Sequence, residues 1–474
     1  MQCVPKPVLL TFQEIKTKEN MRLELRRISG HYYVYKVRNE WNKELKKQVK
    51  ITQIVGSITP NGIYKLKRQK TKISTTQVYE YGNAELCLNL SQDVQNATAN
   101  MPYKDELVAL SIIRALEPGP IRLAQSVWED TYASRKMDVN LTPKHISETL
   151  SAIGNMVGET YELFAKLAPE GGMLFYDLTS VLSYSKKLSL AERGYNAEGD
   201  LTGQVKVAMA FSTSTWLPVA VDVFYGSLKE TKVLKYFVER FAGRDLGFVM
   251  DRGFSYYKLL LDLKAENIHY IVPLKKNSTL LPAFARMTGT FEYSKKRMVA
   301  FCKRSKKPYG FLYLFEDPKL RGEEEEFLLG QVNKGALSMD NYRLERRMAG
   351  VFGILSDLDV EAHVVYEQYK AREEIEQAFD FMKNDLEADK TYLGRDDAVR
   401  GYFVVVFLAM RLYFKILRRL REHDLVGKVS VREVLFSLSK LRMIVERSGR
   451  EYLGVIPKKT EQILEVFSDM IKVT

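Results

Sequence analysis

Tyr369, Arg372, Glu376 and Lys383 lie at steps of three, four and seven within VVYEQYKAREEIEQAFDFMKNDLEADK, residues 364–390. On a continuous helix turning 100° per residue, all four fall within about 60° of one another. Ile375, Ala378, Phe379, Met382 and Leu386 mark the neighbouring apolar face. The stripe therefore runs along the rim of a buried surface, where a carboxylate is partly desolvated and still reachable. Glu373 and Glu374 point elsewhere on the same wheel, so Glu376 is the carboxylate of choice. The plain alternative is a charged flank, with Arg372 and Glu376 as an i, i+4 pair worth roughly a few tenths of a kcal/mol.

Two further carboxylates tilt the balance. GGMLFYD ends its apolar run at Asp177, and LGFVMD ends at Asp251. Each reads as a buried strand whose tip carries an Asp, and the tips of buried strands are a usual place for functional groups. Taken singly, an Asp there is more often a cap for the next turn. Taken together with Glu376, the three carboxylates, without His or Cys, suit hard divalent cations that keep water and substrate phosphates as their other ligands. Two such ions about 3.5–4 Å apart activate a water or hydroxyl and stabilise the leaving oxygen of an in-line phosphoryl transfer. Arg372 and Lys383 would neutralise phosphates there. Tyr369 would hydrogen-bond a phosphate or stack on a base.

The bulk properties are compatible with such chemistry. The chain has 474 residues, 46 % of them apolar, and a formal charge of +13. That size predicts two to four domains with a substantial core, at roughly 100–200 residues each. The positive surplus points to a polyanionic partner, with nucleic acid ahead of a membrane surface. Cys3, Cys87 and Cys302 are far apart, which argues against a disulfide framework or a Cys-rich zinc site. The five histidines are equally scattered. No secretory signal or membrane span is expected, and a cytoplasmic location follows; the most apolar run, Tyr402–Met410, reads as a buried helix.

Six regions are predicted: a β-rich basic domain over 1–100, a helical region over 101–168, a core over 169–278, a β-rich insertion over 279–348, the rest of the core with the Glu helix over 349–415, and a helical basic region over 416–474. HYYVYKVRNEW and KQVKITQIVGSI read as a hairpin about a polar turn. The basic run Lys65, Lys67, Arg68, Lys70 and Lys72 is either a solvated strand face or a DNA contact. The helices of 101–168 form either a helix-turn-helix reader or a plain bundle. TPKHISETLSAIGNMVGETYELFAKL starts with a Thr-Pro entry signal, and Ser227 with Glu230 fits a capping box. From residue 171, short apolar strands alternate with helices, which predicts an α/β mixed sheet flanked by helices. GTFEYSKKRMVAFCKRSKKPYGFLYLFED reads as a β-meander, and Arg418, Arg419 and Arg421 cluster near the end.

These residues resemble the DDE transposases of bacterial insertion sequences, in the subgroup with a Y-(2)-R-(3)-E-(6)-K signature. Here it reads Tyr369-(2)-Arg372-(3)-Glu376-(6)-Lys383. FYDLTS is similar to the first catalytic segment, RGYNAEGDLTGQVKVAMAF to the glycine-containing stretch entering the second strand, and VMDRGF to the second catalytic segment. The resemblance covers about 171–415. It implies an RNase H-like catalytic domain in which Asp177, Asp251 and Glu376 bind two Mg²⁺ or Mn²⁺ ions. It implies double-stranded DNA as partner, both as terminal inverted repeats and as target, and a homodimer in the synaptic complex. Tyr369, Arg372, Lys383 and Arg252 would contact DNA near the cleaved phosphate. Tyr402 stands where relatives often carry His and is expected to be structural. The competing expectations are a catalytically inactive, domesticated DNA-binding descendant and an RNase H-like nuclease that cuts without joining.

Overall fold

A computed structural model describes residues 4–18, 22–42, 47–66, 76–193, 202–241, 244–282, 286–293 and 297–473. The chain divides into two compact units, residues 1–77 with 446–450, and the remainder. In the first, helix α1 (Lys6–Lys18) accompanies an antiparallel sheet of β1 (Leu23–Ile28), β2 (His31–Asn42), β3 (Lys47–Ile58) and β4 (Tyr64–Leu66), paired in that order. Val8, Leu23, Tyr32, Val34 and Ile58 form its core. The predicted β2–β3 hairpin is present. Lys65 lies exposed on β4, whereas Lys67, Arg68, Lys70 and Lys72 fall outside the described residues.

The second unit opens with β5 (Gln77–Glu80) and six helices: α2 (Gly82–Leu90), α3 (Gln92–Ala97), α4 (Lys104–Leu116), α5 (Ala124–Asp130), α6 (Pro143–Asn155) and α7 (Val157–Leu167). Thr142 and Pro143 do open α6, and the helical stretch divides at Met156, where ψ reaches 63°, into α6 and α7. Then come β6 (Gly171–Ser183), β7 (Gln204–Ser212), β8 (Pro218–Tyr225), α8 (Glu230–Val238), β9 (Asp245–Val249), α9 (Tyr257–Ala265) and β10 (His269–Pro273). The predicted Ser227 capping box does not form: Lys229 caps α8 by backbone alone, and the Ser227 hydroxyl donates to Glu192 instead.

A meander of β11 (Gly289–Tyr293), β12 (Arg297–Lys306) and β13 (Gly310–Glu316) follows, then α10 (Pro318–Asn333), α11 (Met339–Glu345) and β14 (Val351–Ser356). The chain closes with α12 (Ala362–Lys370), α13 (Glu373–Asp380), β15 (Lys390–Thr391), α14 (Asp396–Glu422), α15 (Val431–Leu438), β16 (Arg442–Val445), β17 (Glu451–Leu453) and α16 (Lys458–Val466). The C-terminal region is thus helical with two short strands, β16 and β17, of which β16 lies between β17 and β5 in a small sheet. Its arginines are engaged: Arg419 bonds Asp469, and Arg421 lies over the Trp216 ring.

The main sheet runs β11-β12-β13-β14-β10-β9-β6-β7-β8, with β15 on β6. The meander is continuous with the core sheet, because β13 and β10 both pair with β14. Every residue of β7 is buried, as befits a strand covered on both faces. Phe175 and Asp177 share a face, since side chains alternate along a strand. Phe211, opposite Phe175, meets Phe414 of α14 on that face. Tyr176 points to the other face, against Phe237 of α8 and Phe254. Helix α14 approaches α6 at two glycines: a Cβ on Gly401 would sit 2.0 Å from the Leu150 carbonyl, and one on Gly154 would sit 1.8 Å from that of Asp397.

No helix among the described residues is long and apolar enough to cross a membrane. The Tyr402–Met410 run is, as predicted, buried within α14.

Candidate active site

Asp177 lies in the middle of β6, not at its end, because β7 pairs with β6 from Leu174 to Leu182 and carries the strand past it. The tip is instead created on the other edge. There β9 runs parallel to β6 only from Gly171↔Asp245 to Phe175↔Val249, and β15 joins only at Leu182 and Ser183. A window is left along β6 between Phe175 and Leu182. Two residues past the last pair, Asp177 on β6 and Asp251 after β9 reach the same level of the sheet. Arg252, next in the chain, is exposed on a short 3₁₀ turn held down by buried Phe254.

The third carboxylate arrives on a broken helix. The stretch predicted as one continuous helix is α12, a turn at Ala371 and Arg372, α13, and a π-helical turn over Phe381–Asp385. A π turn holds more residues than an α turn, so the predicted stripe does not extend in phase to Lys383. Tyr369 at the end of α12 packs on Phe352 of β14. Arg372, in the turn, is mostly buried. One of its terminal nitrogens donates to Glu376 Oε1 at 2.7 Å and lies 3.7 Å from Asp251 Oδ1. Asp251 and Glu376 therefore face each other across a single guanidinium nitrogen. Lys383 is half-buried on the π turn and makes no ion pair with these carboxylates among the described residues.

The electrostatics tie Asp177 to the same group. Burial pushes its carboxyl up to about 6; the Leu178 amide, donating to Oδ1 at 2.8 Å, and the Arg372 charge oppose this, while the charges of Asp251 and Glu376 add to it. Burial also raises the Tyr369 hydroxyl, whose electrostatic neighbours are Arg372, Asp251, Arg252 and Glu376. Tyr369, Arg372, Asp251, Glu376, Asp177 and Arg252 thus form one neighbourhood. Among the described residues no three Asp, Glu, His or Cys side chains close into a ligand set for one ion. In this structure the Arg372 guanidinium supplies the positive charge between two of the three carboxylates. The donor set itself, three carboxylates of which burial raises one, fits a hard divalent cation.

Arg114 of α4 is a supporting residue that the sequence reading overlooked. Only 6 % exposed, it donates to the Gly119 and Leu386 carbonyls and, at 2.6 Å, to the Tyr402 hydroxyl. It thereby ties α4 to α14 and to the end of the π turn. Arg432 of α15 grips the same turn through Asp385 at 2.8 Å. The available signal was a lone cation inside the apolar run SIIRAL.

The mixed sheet, its parallel β6–β9 register and the acidic group at the open window define a class of protein, and residues 173–412 match the transposase DDE domain family. The chain belongs to that family, whose members cleave and transfer DNA strands. Among solved structures it is similar to a piggyBac transposase synaptic complex with hairpin DNA, at 11 % identity, over 75 % of this chain and 77 % of that one, with a TM-score of 0.39. No curated protein matches the chain. The stretch Arg193–Phe211, likened above to the glycine-containing entry to the second strand, lies outside the described residues from 194 to 201.

Proposed function

We propose that this DDE transposase binds the terminal inverted repeats of a bacterial insertion sequence, cleaves DNA at its ends and joins them to target DNA. The observation that carries the proposal is the level meeting of Asp177 and Asp251 across the β6–β9 register, with Arg372 linking Asp251 to Glu376. The mixed sheet supports an RNase H-like reading of the core, and Tyr369-(2)-Arg372-(3)-Glu376-(6)-Lys383 supports the Y-R-E-K subgroup.

Asp177, Asp251 and Glu376 would hold two Mg²⁺ or Mn²⁺ ions, which supply Lewis acidity at the attacked phosphate and an activated oxygen nucleophile. The chain's own residues do the rest. Asp177, shielded on its sheet face, must lose its proton to serve as a ligand. Arg372 holds Glu376 in place and presents positive charge where phosphate oxygens would lie. Tyr369 donates to a phosphate or stacks on a base, and exposed Arg252 contacts the strand from the Asp251 turn. Lys383, further along, engages DNA beyond the cleaved phosphate. A homodimer would pair two ends, with the reaction taking place in the bacterial cytoplasm.

The test is a nicking and joining assay with purified protein, Mg²⁺ and duplexes drawn from the DNA flanking the reading frame. We expect nicked and joined products from the wild type and neither from Asp251→Ala. Absence of cleavage by the wild type, as for a domesticated binding protein, would reject the enzyme reading; cleavage without joined products would identify a nuclease.

A further inference from the structure

Residues 1–77 contain seventeen Lys and Arg against five Asp and Glu, so a net +12 of the chain's +13 falls in the small N-terminal sheet unit. Within it, β1 pairs with β2 only over His31–Lys36, and β4 pairs with β3 only over Gly56–Ile58. Beyond both, β2 and β3 continue together as a two-stranded ribbon, from Arg38↔Ile51 to Asn42↔Lys47. Residues 38–41 are all exposed, as are 47, 48, 50 and 51. Trp41 is 61 % exposed. A ribbon exposed on both faces contributes little to the core of its own unit.

Its two faces differ. Alternation places Asn39, Trp41, Gln48 and Lys50 on one face, and Arg38, Glu40 and Val49 on the other. Arg38 is paired with Glu40 at 2.8 Å, and Lys50 leans back on Glu24. The first face therefore projects two side-chain amides and an indole, with a lysine at its base. Asn and Gln amides match the paired donor and acceptor of adenine in the major groove, and an aromatic edge suits the thymine methyl. The dimensions agree: five residues at ~3.4 Å reach ~17 Å, against a groove ~8.5 Å deep and ~12 Å wide that admits a two-stranded ribbon.

We propose that this ribbon reads double-stranded DNA by entering the major groove with the Asn39–Trp41–Gln48 face toward the base edges. The proposal rests on reading the chain as a DNA transposase and assigns its sequence recognition to a surface remote in sequence from the acidic residues. Fluorescence offers a direct test, because Trp128 is buried and Trp216 partly so, leaving Trp41 as the strongly exposed indole. Full-length protein is titrated with duplexes tiled over the DNA flanking the reading frame, and acrylamide quenching is followed.

We expect one or more duplexes to shield the quenchable fluorescence, and Trp41→Phe to remove that signal. The double variant Asn39→Ala, Gln48→Ala should lose on the order of tenfold in preference for that duplex over a scrambled one of equal length. Its melting temperature and its affinity for the scrambled duplex should stay unchanged. Trp41 fully quenchable in a saturated complex, or an undiminished preference in the double variant, would overturn the proposal. So would protein-only shielding that tracks a dimer lost in Trp41→Phe, which would make the ribbon a contact between copies. Cleavage is scored in the same samples. Shielding without cleavage supports the ribbon and sinks the enzyme reading, whereas cleavage without shielding does the reverse.

Discussion

Asp177 sets the pH behaviour of the candidate site. Burial pushes its carboxyl up to about 6 in the folded chain, against about 3.9 in an unfolded one. Between those values the folded state holds the proton and the unfolded state does not, so stability falls as pH rises through that window. A shift of about two units corresponds to on the order of 3 kcal/mol. Asp177→Asn removes the titration yet keeps an acceptor for the Leu178 amide. We expect the variant to match or trail the wild type in melting temperature at pH 4 and to exceed it at pH 7.5; an offset independent of pH would contradict the assignment. A divalent cation binds the charged form, so below pH 6 it must displace a proton. Stabilisation of the wild type by Mg²⁺ should therefore be full at pH 8, fade as pH falls below about 6, and be absent in Asp177→Asn, as read by thermal melting.

At the scale of elements, sequence patterns served where the signal was local. The buried strands, the meander, the β2–β3 hairpin and the apolar run inside α14 all follow from periodicity and turn residues. The residue types of the candidate site were legible for the same reason, since an apolar run that stops at Asp is a local feature twice over. What was not legible is long-range. Periodicity cannot say that β9 stops pairing at Phe175 and so opens a window beside Asp177, which itself sits mid-strand. Nor does it show that α12 and α13 part at Arg372, or that a π turn shifts the phase before Lys383. The π turn is held by partners far away in sequence, Arg114 and Arg432 among them. Tyr402→Phe should cost about 1–2 kcal/mol in denaturant unfolding, by depriving buried Arg114 of an acceptor. Two glycines make a sharper comparison. Gly401→Ala would drive a Cβ into the Leu150 carbonyl at 2.0 Å, where backbone cannot yield, and should cost several kcal/mol or abolish folding. Gly322→Ala, inside α10 with nothing within 4 Å, should stabilise the chain by about 0.5–1 kcal/mol. Equal effects from the two would refute the close approach of α6 and α14.

Across the whole molecule, charge is unevenly distributed. The surplus sits almost entirely in residues 1–77, whereas the remaining residues are near neutral and contain the acidic constellation. Attraction between a cationic protein and a duplex comes from release of condensed counterions, so the logarithm of affinity falls linearly with the logarithm of salt concentration, with a slope set by the number of neutralised phosphates. A steep slope is expected for the full chain on any duplex. Replacing one phosphate-contacting lysine should lower its magnitude by about 1. If holding and acting are separate, Asp177→Asn and Asp251→Ala should leave the slope intact while removing cleavage. Lys383→Ala should flatten it by about 1 without altering Mg²⁺-dependent melting, because Lys383 makes no ion pair with the carboxylates among the described residues. Fluorescence anisotropy with a scrambled 30-mer duplex between 50 and 300 mM salt measures the slope. A Lys383 variant that lost Mg²⁺ stabilisation together with slope would mean that this lysine supports the carboxylates and not the DNA.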